Sequence, residues 1–272
     1  MSDQQHGPLG QSSDYPDQYD PKQLHPIPRE LGRSEIGVSE PLPFFGEDIW
    51  NAYELSWLNA KGKPMVAMME MRVPATSPNI VESKSLKLYL GSFNQWVVDS
   101  TEQLQAIICR DVGETVGADI SVSLLPLHQQ GSFAVQRLPG RCIDDLDVEA
   151  KHYEVDSNLL NVAEGAASET LHSHLLRSCC PVTGQPDWAS VVIDYEGQRI
   201  DDASLLQYLI SFRNNQEFHE QCVERIFADI RQRCAPKRLS VYARYTRRGG
   251  IDINPFRSSE SVTQENLRMI RQ

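Results

Sequence analysis

The chain has 272 residues, 40% of them hydrophobic, and a formal net charge of −11 at pH 7. Length and apolar content suffice for one large or two ordinary domains and exclude wholesale disorder. The acidic balance disfavours a phosphate backbone or an anionic membrane surface as partner, and no apolar run is long enough to span a bilayer.

The N-terminal stretch M-S-D-Q-Q-H-G-P-L-G has no basic start followed by an apolar segment, so no secretory signal is expected and a cytoplasmic location is. The six cysteines (Cys109, Cys142, Cys179, Cys180, Cys222, Cys234) are then expected as reduced thiols. A bond between the vicinal pair Cys179 and Cys180 would close only a strained ring.

In chain order, residues 1–35 are polar and proline-rich and predict a flexible or surface-draped arm. The aromatic stretch P-F-F-G-E-D-I-W-N-A-Y-E-L-S-W-L-N (43–59) begins the folded part. A strand is expected over 65–73, helices over 83–94 and 101–117, and a strand over 119–127. After a polar, acidic linker at 146–168, a strand is expected over 188–200, with a turn at Glu196-Gly197. Leu205, Leu206, Leu209 and Phe212 have helical spacing, and a second helix over 217–233 ends before Pro236. A glycine hairpin, R-R-G-G (247–250), joins two final strands.

The two halves repeat. K-G-K-P (61–64) matches T-G-Q-P (183–186), Y-L-G-S-F (89–93) matches Y-L-I-S-F (208–212), and D-I-S-V (119–122) matches R-L-S-V (238–241), in one order and at nearly one offset. The pattern predicts an α+β protein of two tandem domains, 36–145 and 169–272, each an antiparallel ββααββ sheet with its helices on one face. The halves differ in their polar groups. Opposite Cys180 and Asp187 the first half has Leu58 and Met65; opposite His219 and Glu220 it has Ser100 and Thr101. Only the first half has E-S-K-S-L-K. One composite site would explain this, and so would diverged surface loops.

Each candidate group has a bland counterpart. Cys180 precedes a Pro/Gly loop, where a scaffold presents a nucleophile; most free cysteines are small buried hydrophobes. Asp187 would relay a proton, or merely cap a turn. At a helix start, Glu220 would accept two N–H bonds from a guanine-like edge and His219 would transfer a proton; the helix dipole alone favours such residues there. Glu82, Ser83, Lys84 and Lys87 read as a phosphate cradle or as a solvated helix face. Arg244, Arg247, Arg248, Gly249 and Gly250 form a basic hairpin tip that would grip a phosphate or simply face water. His172 and His174 beside the cysteine pair invite a zinc reading, but the spacing is no clean ligand pattern and no metal is expected.

E-S-K-S-L-K-L-Y (82–89), together with Cys180 and Asp187 seven residues apart, resembles the QueF family of NADPH-dependent 7-cyano-7-deazaguanine reductases, in its long, bimodular branch. F-H-E-Q-C-V-E-R-I-F and V-Y-A-R-Y-T-R-R-G-G extend the likeness over nearly the whole chain. The resemblance implies the tunnelling fold, a homodimer, and reduction of a nitrile to an aminomethyl group with two NADPH in the pathway to the tRNA base queuosine. It implies that Cys180 attacks the nitrile carbon to form a thioimide, that Asp187 protonates the nitrogen, and that His219 assists. Hydride would give a thiohemiaminal, loss of Cys180 an imine, and a second hydride the amine. It implies that Val81, Glu82, Ser83, His219 and Glu220 bind the substrate and that Ser83, Lys84, Arg248 and Gly249 bind NADPH. No G-x-G-x-x-G is present, so the cofactor rests on the resemblance alone. Two alternatives are carried: a zinc-dependent pterin or purine hydrolase using Cys179 or Cys180 with His172 or His174, and a non-catalytic purine-binding or tRNA-binding module.

Overall fold

The computed structural model describes residues 16, 18–128 and 134–272. Contacts divide the chain into two units: Met1–Leu31, Asp48–Ala134 and Arg247–Ile253 form one, and Gly32–Glu47, Val135–Thr246 and Asn254–Gln272 the other. The expected succession of 36–145, a linker and 169–272 followed chain order; this division does not.

The first unit holds β1 (Pro26–Pro28), the start of α1 (Arg29–Glu35), most of β2 (Phe45–Leu58), β3 (Pro64–Pro74), β4 (Asn79–Val81), α2 (Ser83–Gly91), α3 (Thr101–Val116) and β5 (Ser121–Pro126). Its strands lie in the order β5-β3-β2, and β1 pairs with β4. Along β3, Ala67, Met69, Met71 and Val73 are buried and the residues between them are not, the period-two pattern of a strand with one buried face. These side chains share one core with Leu86, Tyr89 and Phe93 from the α2 region and Leu104, Ile108, Val112 and Val116 from α3, which recur at helical spacing.

The second unit holds β6 (Arg141–Cys142), β7 (Val162–Ser173), β8 (Arg177–Cys179), β9 (Pro186–Ile200), α4 (Asp202–Ser211), α5 (His219–Cys234), β10 (Arg238–Tyr245) and the end of β11 (Ile251–Ser258). Its strand order is β11-β10-β9-β7-β6, with β8 on β9. All these pairings are antiparallel except β6 with β7. The α+β class and antiparallel sheets are as expected. The second half shows the full ββααββ order; the first shows ββααβ among its described residues, a short β4 apart.

The duplication is physical as well as textual. Tyr89 donates to Asp111 at 2.7 Å and Tyr208 donates to Asp229 at 2.6 Å. Ser92 and Ser211 each turn their hydroxyl back onto the tyrosine carbonyl, both at 2.6 Å. Tyr89 meets Phe93, and Tyr208 meets Phe212, edge to face. Both 16-residue helices, α3 and α5, close on a left-handed residue, Gly117 and Ala235. These marks align α3 with α5 at an offset one shorter than the sequence matches give. His219 therefore stands opposite Thr101, and Glu220 opposite Glu102, not opposite Ser100 and Thr101.

Three further expectations change. Residues 18–35 were expected in the flexible or surface-draped arm; residues 1–15 and 17 of it lie outside the described residues. The described part carries β1 and α1 because Ile27 is buried and two of its arginines find buried acids. Arg29 pairs with Asp48 at 2.5 Å in the first unit, and Arg33 grips Glu224 with two bonds, at 2.9 and 2.8 Å, in the second. The linker at 146–168 gives way to β7 from Val162 onward. No turn occurs at Glu196-Gly197: Gly197 pairs with Ala167 inside a 15-residue strand, and Pro236 packs where its side chain would stand.

The paired tyrosines give a stability test. Tyr208→Phe strips the Asp229 carboxylate of its buried donor and costs about 1–3 kcal/mol. Tyr89→Phe costs less, because Asp111 keeps Tyr19 at 2.6 Å and Arg110 at 2.8 Å. Urea unfolding of both variants against wild type checks the order, and a Tyr89→Phe cost equal to or above that of Tyr208→Phe refutes it.

Candidate active site

In the second unit, β8 meets the start of β9 with Ser178 opposite Asp187 and Cys179 opposite Pro186. Cys180 follows directly and opens a loop that closes on itself. Its N–H donates to the Gln185 carbonyl at 2.8 Å, and its own carbonyl accepts from Gly184 N–H at 2.9 Å. The backbone of Cys180 is thus fixed on both sides, and its side chain is buried. Cys179 is held separately: its N–H bonds the Asn215 carbonyl at 2.7 Å and its thiol donates to the Arg213 carbonyl at 3.9 Å. All six cysteines are free, including this pair.

Asp187 is 4% exposed and faces the first residue of α5. His219 Nε2 lies 3.3 Å from Asp187 Oδ2. Tyr245, at the end of β10, stacks on the imidazole with ring centroids 3.7 Å apart and planes within 1°. The ring can therefore neither tip nor swing. His219 Nδ1 is buried and has no partner among the described residues, so one nitrogen faces the aspartate and the other is available to a ligand. Glu220 is buried next to it. Its counterpart Glu102 is fully exposed to solvent, so burial rather than residue type separates the two.

Burial sets the remaining thiols apart. It raises the pKa of Cys109, of Cys142 and, more strongly, of Cys222, and pushes that of Cys234 up to about 11. Burial also holds the Tyr245 hydroxyl well above its usual range, so Tyr245 stays neutral. Cys180 opens the loop that joins β8 to the start of β9, where Asp187 meets His219.

The first unit holds the E-S-K-S-L-K set. Glu82 caps α2: its carboxylate accepts from Lys84 N–H at 2.7 Å and Ser85 N–H at 2.8 Å. The helix start was expected as a phosphate cradle, and its N–H groups are taken by the chain's own carboxylate. The charges of Lys84 and Lys87 act on that same carboxylate. Burial raises the pKa of Glu82, opposed by those two N–H bonds and by the Lys87 and Lys84 charges. Val81 is locked opposite Pro26, and Glu82 N–H donates to the His25 carbonyl at 2.9 Å. Gly249, at φ 59°, forms the hairpin tip, and the Lys87 side chain lies 3.2 Å from where a Cβ would stand. Lys87 and Gly249 are therefore brought together. Arg248 shapes the hairpin through its N–H to the Ile251 carbonyl at 2.8 Å. Arg247 instead covers the Tyr53 ring at 4.7 Å, and Arg244 is buried on Gln272 and Tyr242.

Two features escaped the sequence. Tyr245 looked like one more alternating strand residue in V-Y-A-R-Y; only its register places it over His219. Glu217, two residues before α5, is buried and takes Arg225 Nε at 2.7 Å. The zinc reading is also revised. The metal-ligating atoms of His172 and His174 gather with Cys142, not with Cys179 or Cys180, because β7 carries them to β6.

A family model described as nitrile reductase, 7-cyano-7-deazaguanine-reductase N-term, matches residues 15–124, and one described as QueF-like protein matches residues 186–264. An NADPH-dependent 7-cyano-7-deazaguanine reductase of Burkholderia multivorans is 56% identical over 271 residues, covering 98% of this chain and 99% of the relative. Proteins of the same description from Burkholderia vietnamiensis and Burkholderia lata are each 55% identical with the same coverage. A solved apo structure of the archaeosine synthase QueF-Like matches with a TM-score of 0.31 and 15% identity, over 37% of this chain and 99% of that one, too weak a likeness to carry an argument. With more than half its residues shared over nearly its full length, the chain belongs to the QueF family of 7-cyano-7-deazaguanine reductases.

Proposed function

We propose that this protein reduces the nitrile of 7-cyano-7-deazaguanine to an aminomethyl group with NADPH, and that Cys180, Asp187 and His219 carry the chemistry. The observation behind the assignment is a buried cysteine that opens a closed loop leading into the strand of a buried aspartate paired with a histidine. A nitrile carbon accepts a thiolate readily once its nitrogen is protonated, which needs a nucleophile and an acid held by one rigid scaffold. Cys180 gives up its thiol proton to His219, and Sγ forms the S–C bond. One nitrile π bond becomes an N–H bond, with the proton coming from Asp187. His219, held by Tyr245 and touching Asp187, returns a proton to that carboxyl group. Glu220 accepts N–H bonds from the guanine-like edge, and Val81, Glu82 and Ser83 assist in holding the base.

The residues present suit a phosphate-bearing nicotinamide cofactor: Lys84 and Arg248 are partly exposed cations, each next in sequence to Ser83 or Gly249, and the Lys87 side chain reaches the Gly249 tip, in a chain of net charge −11. When bound, NADPH supplies hydride for the reduction. Ser83, Lys84, Arg248 and Gly249 hold it, and Lys87 adds its charge. No described helix is long and apolar enough to cross a membrane, which accords with a cytoplasmic enzyme.

Intact mass after mixing with 7-cyano-7-deazaguanine, without NADPH, tests the nucleophile. Wild type gains the mass of the ligand and Cys180→Ala does not; absence of an adduct on wild type ends the covalent mechanism. Asp187→Asn still binds the base but forms the adduct about 10²–10⁴-fold more slowly. For the cofactor, Lys84→Ala preserves the backbone cap on Glu82 and raises the KM for NADPH by about tenfold or more, with kcat little changed. An unaltered KM removes Lys84 from the site. A homodimer is supported by β5, an edge strand among the described residues, with exposed Leu127 just past it and exposed Val66 near its partner end. Sedimentation at the mass of a single 30.8 kDa chain rules the dimer out.

A further inference from the structure

A second cluster of ligand-bearing side chains lies in the second unit and has no part in the proposed reduction. Parallel pairing of β6 with β7 puts Cys142 opposite His172, and His174 follows two residues on, at strand spacing for the same face. One ligand atom from each of Cys142, His172 and His174 lies within 4.8 Å of the others. Zinc bonds of about 2.3 Å to sulfur and 2.1 Å to nitrogen set donors roughly 3.5 Å apart in a tetrahedron. Side-chain rotations of about 1 Å therefore close the site.

The surroundings are arranged as they are around metal-binding histidines. His172 Nδ1 lies 2.9 Å from the Pro139 carbonyl. A carbonyl only accepts, so Nδ1 carries the hydrogen and Nε2 keeps its lone pair. His174 Nδ1 is 2.8 Å from the buried Ser190 hydroxyl, which as an acceptor would leave Nε2 as the ligand atom. Asp144 fixes the turn that carries His174, accepting Ser173 Oγ at 2.6 Å and His174 N–H at 2.9 Å. Gly140, at φ 78°, lets the segment approach: a Cβ there would collide with the Thr170 carbonyl. Cys142 is exposed and gives the ion a way in. Two histidines packed edge to face at a strand end would need neither the carbonyl that orients His172 nor a third ligand in reach.

We propose that Cys142, His172 and His174 bind one divalent ion of the zinc class, with the fourth position open to water. Thiolate and imidazole are the donors that such a borderline ion takes, and hard ions such as Mg²⁺ and Ca²⁺ prefer oxygen. Binding displaces the Cys142 thiol proton to solvent and ties the two-residue strand β6 to the long strand β7.

The test uses the full chain after chelator treatment, with Co²⁺ as probe and Zn²⁺ as competitor. Wild type takes up one equivalent of Co²⁺ with a thiolate-to-metal charge-transfer band, and Zn²⁺ displaces it. Cys142→Ser, a change at an exposed position, abolishes the band and weakens Zn²⁺ binding by at least about tenfold. His174→Gln weakens binding while keeping the band, and Cys180→Ala leaves both untouched. No band on wild type overturns the proposal. So does a band that survives Cys142→Ser and vanishes in Cys180→Ala, which would move the metal to the other cysteine. None of these readouts depends on reductase activity.

Discussion

Most of the second unit is set by the register of β9. This 15-residue strand pairs with β10 on one side, β7 on the other, and β8 at its start. Each pairing delivers a functional group. Opposite Ser178, Asp187 lies one pair beyond the residue that precedes Cys180. Pairing of Ala189 with Tyr245 brings the stacking ring of β10 to the same end, where α5 begins with His219. Pairing of Ser173 with Val191 sets β7 so that Ser190 reaches His174. Side chains alternate along a strand, so a one-residue slip would turn Asp187 out to solvent and Trp188, now exposed, inward. The strand is rigid because it is paired on both edges over much of its length, and preorganised acid and base groups need such a support.

The two halves show how a duplicated scaffold divides its labour without changing its frame. The tyrosine–carboxylate bond, the serine turned back on its helix and the left-handed cap recur in both. What differs is placed on loops and first turns. Leu58 and Cys180 sit before equivalent turns, one a core-type residue and the other a thiol. Glu102 and Glu220 are the same amino acid at the same helical position, one in solvent and one buried. Moving a carboxylate out of water requires partners, and a buried glutamate at a helix start beside an oriented imidazole is suited to grip a polar ligand edge. A comparison of residue types between halves would discard Glu220 as shared; burial restores it.

Much of this was legible in the chain. Local periodicity located β3, α2, α3, β5, α4, α5 and the last hairpin to within a few residues, because their apolar spacing is set by their own faces. The candidate site residues stood out as a motif and as a resemblance, which carry information that periodicity does not. The failures share one cause, partners distant in sequence. Polar, proline-rich composition hid β1 and α1, whose order comes from Arg29 meeting Asp48 and Arg33 meeting Glu224, 191 residues away. Gly197 looked like a turn because Pro236, which needs the space, is 39 positions on. Cys142 could not be linked to the two histidines, since a parallel strand pair leaves no signal in local spacing.

The six free thiols make the same point in energetic terms. A cysteine is reactive only as thiolate, and burial without a charged or hydrogen-bonding partner opposes that form. Burial raises the pKa of Cys222 and Cys234 on α5, and Cys109 is shifted the same way. Cys179 spends its proton on the Arg213 carbonyl. Two thiols have other neighbours: Cys180 opens the loop that leads into the strand of Asp187, which meets His219, and Cys142 gathers with His172 and His174. The first environment holds the acid and imidazole that the proposed reduction uses. The second gathers one thiol and two imidazoles within 4.8 Å, a donor set that suits holding a cation. The neighbours of each sulfur, more than its own exposure, decide which of these a cysteine can do.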